Sequence, residues 1–88
     1  MKNLDKLGRV IGVGDLIAAS DPTVTGIYVG KVLRINGDVV HFRYYNTSGA
    51  DPTMESLKKE PYGWECWTKN SKKRILILNK SKKHVRTV

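Results

Sequence analysis

The chain has 88 residues with 16 Lys+Arg against 8 Asp+Glu, a formal net charge of +8, which leaves room for one small core and none for an enzyme with separate substrate and cofactor domains. All eight acids and eight of the bases lie in residues 1–68, so the whole excess falls in the last twenty residues. No apolar run approaches the roughly 20 residues that span a bilayer, Met1–Gly12 lacks a signal-peptide pattern, and Cys66 stands alone, so neither a disulfide framework nor a conventional zinc site supports the fold. A soluble, intracellular protein held by hydrophobic burial is expected.

Met1–Val13 has Leu4, Leu7, Val10 and Ile11 at helical spacing, with Gly8 and Gly12 weakening a helix. Residues 1–12 are expected to be partly ordered against the domain. From Gly14-Asp15 onward the hydrophobic period is two, which is the strand signal. Leu16–Ala19 is the first predicted strand and Ile27–Ile35 the second. Asn36-Gly37-Asp38 then turns the chain into Val39–Tyr45, and Asn-Gly favours the positive φ of a tight antiparallel hairpin. Alternation puts Val40, Phe42 and Tyr44 on the core face and His41, Arg43 and Tyr45 on the other.

Asp51–Lys59 reads either as one or two helical turns, with Asp51 as N-cap and Pro52 at the first helical position, or as an ordered loop. Trp64–Thr68 is the fourth predicted strand and Arg74–Leu78 the fifth, with Asn70–Lys73 turning between them. Five short strands in so short a chain argue for an all-β, strongly bent, five-stranded antiparallel barrel. The barrel spans residues 13–78, and residues 79–88 form a basic C-terminal tail.

Val13-Gly14-Asp15-Leu16-Ile17-Ala18-Ala19, then Tyr28-Val29-Gly30-Lys31-Val32-Leu33-Arg34-Ile35, then Val40-His41-Phe42-Arg43-Tyr44-Tyr45-Asn46, resemble the opening strands of Tudor, agenet and chromo-barrel domains. The same Gly-Asp and Gly-Lys-Val elements occur in KOW-type barrels, in the C-terminal DNA-binding barrels of integrases and in small phage proteins. The resemblance covers residues 13–78 and implies an SH3-like barrel. Tyr44-Tyr45-Asn46 stands where a Tudor domain has Asp-Tyr-Gly, so the acid that favours a methylated cation is missing.

Two candidate sites follow. Tyr28, Tyr45 and Trp64 are expected at one open end of the barrel, as an aromatic cage for a methyl-ammonium or as flat faces for stacking bases. Tyr44 is read as core. Trp64 and Trp67 are expected to face opposite sides, with Trp67 in the core. The second site is the basic end, where Lys69, Lys72, Lys73, Arg74, Lys80, Lys82, Lys83 and Arg86 would contact phosphates, with Arg34 and Arg43 extending the patch.

No carboxylate pair, phosphate-binding glycine loop or Cys–His pairing supports catalysis or a cofactor, because Cys66 would need His41 or His84 beside it. The expected function is a noncatalytic nucleic-acid-binding module, DNA or RNA, directed at the backbone rather than at base edges. The alternatives are a reader of methylated Lys or Arg on a histone-like peptide, as the Tudor and chromo resemblance implies, and a small viral module that inhibits a host factor through an exposed sheet edge. No membrane partner is expected. The setting would be nuclear in a eukaryote, and cytoplasmic or nucleoid-associated in a bacterium or phage.

Overall fold

A computed structural model describes residues 3–21, 24–45, 52–70 and 73–81. Five strands run in the expected order: β1 (Leu16–Asp21), β2 (Val24–Asn36), β3 (Val39–Tyr44), β4 (Glu65–Lys69) and β5 (Ile75–Asn79). All neighbours are antiparallel and form one sheet in the order β4-β3-β2-β1-β5. The all-β reading therefore stands, with one correction. The sheet does not close into a barrel, because β4 and β5, its two ends, do not pair with each other.

The sheet is nevertheless bent over on itself. β2 makes this possible, since its first part pairs with β1 up to Lys31 and its second part pairs with β3 from Gly30 onward. The two halves cover one core of Ile17, Ala19, Val32, Val40, Phe42, Ile75 and Ile77. A flat sheet with no helix to cover it would leave that face in water. A direct measure of the bend is the Thr68 hydroxyl, which donates to the Ser20 carbonyl at 3.3 Å, although β1 and β4 lie three strand spacings apart in the sheet, about 14 Å if it were flat.

Three local features fix this geometry. Gly37 has φ +64 while Asp38 has no positive φ, the pattern of a two-residue turn with glycine at its first central position. At Gly30 an added Cβ would meet the Arg43 carbonyl oxygen at 2.5 Å and the Phe42 ring at 2.8 Å, so only glycine lets β3 come this close. A bulge between Val32 and Arg34 shifts the β2–β3 register. Strict alternation would send Arg34 to the core side with Val32; the extra residue resets the phase, so that Val32 and Ile35 both pack inward and Arg34 is exposed.

The N-terminal segment forms no helix, despite its apolar spacing. Gly8, at φ +84, lies in a tight turn that brings Leu4 and Val10 into an antiparallel bridge. The segment is fastened by two buried carboxylates. Asp5 accepts from the backbone N–H of Leu7, Arg9 and Ile77 and from the Arg9 guanidinium. Asp15 accepts from the N–H of Gly12 and Ser81 and from the Lys80 ammonium. The Lys6 N–H also donates to the Ile75 carbonyl and the Arg9 guanidinium to the Ile77 carbonyl. The outer edge of β5 is thus covered by the chain's own N-terminal segment.

Among the described residues before β4 there is a single short 3-10 turn, Ser56–Lys58. It starts later than Pro52, because Thr53 and Ser56 exchange side-chain to backbone hydrogen bonds that hold the chain in a turn ahead of it. The expected N-cap, Asp51, lies outside the described residues, as does most of the tail, residues 82–88. Among the described residues no helix is long and apolar enough to cross a membrane.

Candidate nucleic-acid interface

The bend gives the sheet an inner face filled by the core and an outer face turned to solvent. On the outer face the register lines up Glu65, Arg43, Lys31, Leu16 and Asn79 across all five strands. A second row runs from Trp67 through His41 to Arg34. Lys69 sits beyond it, opposite Val39. Arg34, Arg43, Lys31, His41 and Lys69 therefore share a face with Trp67, and Glu65 is the strand acid among them.

The charges on this face are partly committed. An Arg34 guanidinium nitrogen lies 2.6 Å from a Glu65 carboxylate oxygen, and His41 Nδ1 lies 3.7 Å from the same oxygen. Arg43 donates to the Gly63 carbonyl at 3.3 Å, and Lys31 pairs with Glu60 at 2.9 Å. These bonds orient the side chains, and of the basic ones the Arg34 side chain stays the most open, at 59% exposed, against 29% for Lys31 and 19% for His41.

Trp67 corrects the sequence reading. It is 59% exposed, not core, and Trp64 is 67% exposed, so both tryptophans lie outside. The reason is the phase of β4. Cys66 and Thr68 point to the inner side, where Cys66 packs against the core and Thr68 is buried, which leaves Trp67 on the solvent side with Glu65 and Lys69. Trp64 precedes the strand, in the stretch that Tyr62, 64% exposed, also belongs to. His41 was expected on the outward hairpin face and lies there, whereas Trp67 was expected in the core; the cross-strand pairing of His41 with Trp67 sets both on the solvent side.

The expected cage is not assembled. Tyr28 lies on the inner face with its ring centroid 4.7 Å from that of Tyr44, and both pack against the core. Tyr45 follows Arg43 in phase and sits on the outer side, 2% exposed, beside Lys31, Leu57 and Lys80 in a groove of about 480 Å³. Tyr28 and Tyr45 are thus on opposite faces. Burial, with Cys66 and Tyr28 adding, raises the Tyr44 hydroxyl pKa. Burial also raises that of Tyr45, so both phenols stay neutral hydrogen-bonding groups.

The basic end divides. Lys72, Lys82, Lys83 and Arg86 lie outside the described residues, as does His84. Lys80 is structural: its ammonium donates to Asp15 at 2.8 Å and to the Val10 carbonyl at 2.7 Å. Lys69 and Lys73 are exposed and Arg74 is half-buried. They surround Asn70, whose backbone N–H donates to Asp38 O, whose side chain donates to Leu4 O, and whose carbonyl accepts from Lys73 N–H. The β4–β5 turn is thereby held against the β2–β3 hairpin tip. Lys6, bonded through its backbone to Ile75, joins these cations at that end.

Cys66 and His41 face opposite sides of the sheet, since Cys66 pairs with inward Phe42 and His41 with outward Trp67. Among the described residues no three His, Cys, Asp or Glu side chains are grouped as metal ligands. Comparison with family models, with curated proteins and with solved structures finds no match to this chain.

Proposed function

We propose that the protein is a noncatalytic module that binds nucleic acid on the outer face of β2, β3 and β4. One observation carries the reading: a domain short of core material leaves both tryptophans more than half exposed, with Trp67 set in a row with His41 and Arg34. Burying a tryptophan ring is a large gain in a small core, so two rings kept in water beside cations suit a surface that meets an anionic, flat-faced partner. Base stacking on an aromatic side chain contributes about 1–3 kcal/mol per base. Lys69, Lys73, Arg74 and Arg34 supply phosphate contacts, with the charge of Lys72, Lys82, Lys83 and Arg86 added. Unpaired bases can reach such rings, so single strands are favoured over duplex.

Lys80 is left out of the contact set because it holds Asp15. A reader of methylated Lys or Arg is not favoured, because Tyr28 and Tyr45 lie on opposite faces and offer no shared cavity with Trp64. The test is a fluorescence-anisotropy titration of a labelled single-stranded oligonucleotide over a salt series. With about four phosphate contacts, log K falls against log salt with a slope of about −3. Absence of binding at low salt, or binding indifferent to salt, refutes the proposal.

A further inference from the structure

The two edges of the sheet are treated differently. The β5 edge is covered, since Ile77 N–H reaches Asp5 and the Ile75 and Ile77 carbonyls accept from Lys6 and Arg9. At the β4 edge the backbone phase can be read from the bonds that bracket the strand. Tyr44 N–H donates to Trp64 O and Asn70 N–H donates to Asp38 O. With the register Phe42 to Cys66 and Val40 to Thr68, the even-numbered residues bond to β3. Glu65, Trp67 and Lys69 therefore aim their N–H and C=O groups away from the sheet.

We infer that β4 is a self-pairing edge, and that two copies of the chain join through antiparallel β4–β4 contact with a two-fold axis at Trp67. The sequence Glu65-Cys66-Trp67-Thr68-Lys69 is complementary to itself about its centre. In that register Trp67 meets Trp67 of the second copy, and Glu65 and Lys69 of each copy meet Lys69 and Glu65 of the other. The matched residues are the ones whose backbone groups point outward, so each pair exchanges both hydrogen bonds. A shift by one residue would set outward-pointing backbone groups against inward-pointing ones, and a shift by two would place Lys69 or Glu65 opposite Trp67 with its charge unmatched. Lysine on an edge strand ordinarily blocks such pairing; here each Lys69 has a carboxylate opposite it. The two exposed rings lie side by side on the outer face, in the non-obligate manner of a small interface.

This inference does not depend on nucleic-acid binding, and its test contains none. The full chain is followed by light scattering coupled to gel filtration over a concentration series, at raised salt so that the net charge of each copy is screened. The expected result is a concentration-dependent doubling of mass. Amide exchange provides the residue-level readout: Glu65, Trp67 and Lys69 slow with concentration while Cys66 and Thr68, already bonded to β3, do not change. Lys69→Glu places Glu opposite Glu and returns the monomer. Glu65→Lys with Lys69→Glu restores both ion pairs and restores the dimer, which separates loss of pairing from loss of fold. A monomer at every concentration, a dimer in which those three amides exchange unchanged, or a double variant that stays monomeric overturns the inference.

Discussion

Asp5 accepts the backbone N–H of Ile77 at 3.0 Å, across 72 positions of sequence, and binds the Arg9 guanidinium at 2.8 Å with the same oxygen. Burial alone would raise the pKa of this carboxyl, but backbone donors at Ile77, Arg9 and Leu7 together with the Arg9 side chain outweigh it, and the group titrates at about 2 instead of 3.8. A carboxylate with a lowered pKa in the folded state adds stability that is complete above 3.8 and disappears as pH falls from there toward about 2. Asp5→Ala is expected to lower unfolding free energy at neutral pH by on the order of 3 kcal/mol. It also flattens the dependence of stability on pH between those two values. Urea unfolding of both proteins at neutral pH and near pH 3 measures both effects.

Gly30 admits the close approach of β3 to β2. Gly30→Ala would drive its Cβ into the Arg43 carbonyl and the Phe42 ring, at an expected cost of about 2–3 kcal/mol. Gly8→Ala meets no neighbouring atom but must hold φ +84, which costs about 1 kcal/mol. Thermal unfolding of the two variants should show Gly30→Ala as the more damaging, and equal losses would argue against the close β2–β3 packing.

Trp67→Ala is expected to weaken single-strand binding by about tenfold or more, from the loss of one stacked base, with little change in melting temperature, since the ring is 59% exposed. Phe42→Ala removes a ring from the core and should do the reverse to stability, costing about 3–5 kcal/mol. Anisotropy titrations and melts on Trp67→Ala separate the two roles. A large fall in melting temperature for that variant would return Trp67 to the core.

Lys80 and Lys69 bear the same charge and are expected to behave differently. Lys80→Ala leaves the buried Asp15 carboxylate with only its backbone donors, and lowers stability by about 1–2 kcal/mol, because the lysine itself is half exposed. Lys69→Ala should leave stability within about 0.5 kcal/mol while making the salt slope of binding shallower by about 0.7. A Lys80 variant that binds weakly yet melts normally would restore it to the contact surface.

The strands were legible because alternation survives in short segments: Ile17 and Ala19, Val40 and Phe42, and Ile75 and Ile77 each mark an inner face. The hairpin turn at Gly37-Asp38 was legible from the Asn36-Gly37-Asp38 sequence around it. The two tryptophans were not, since a period of two gives the relative phase within a strand but not which phase faces the core; Thr68, a polar residue, takes the inner position beside Cys66 because its hydroxyl finds the Ser20 carbonyl. The phase of Arg34 rests on a bulge that no residue between Val32 and Ile35 announces. Lys80 read as part of a charge run, and its partner Asp15 is 65 positions away, too far for local pattern to join them. The open ends of the sheet also had no sequence signal, because five strands of this length are compatible with closure or with a bend alone.

The clasp between residue 5 and residue 77 has a kinetic meaning as well. It joins residues 72 positions apart in sequence, so it cannot form from the N-terminal segment alone and needs β5 in place. With so long a loop to close, the clasp is expected to form on the late side of the folding barrier. Changes in it are expected to act on how fast the native protein comes apart, and to leave the rate at which the sheet first assembles nearly untouched.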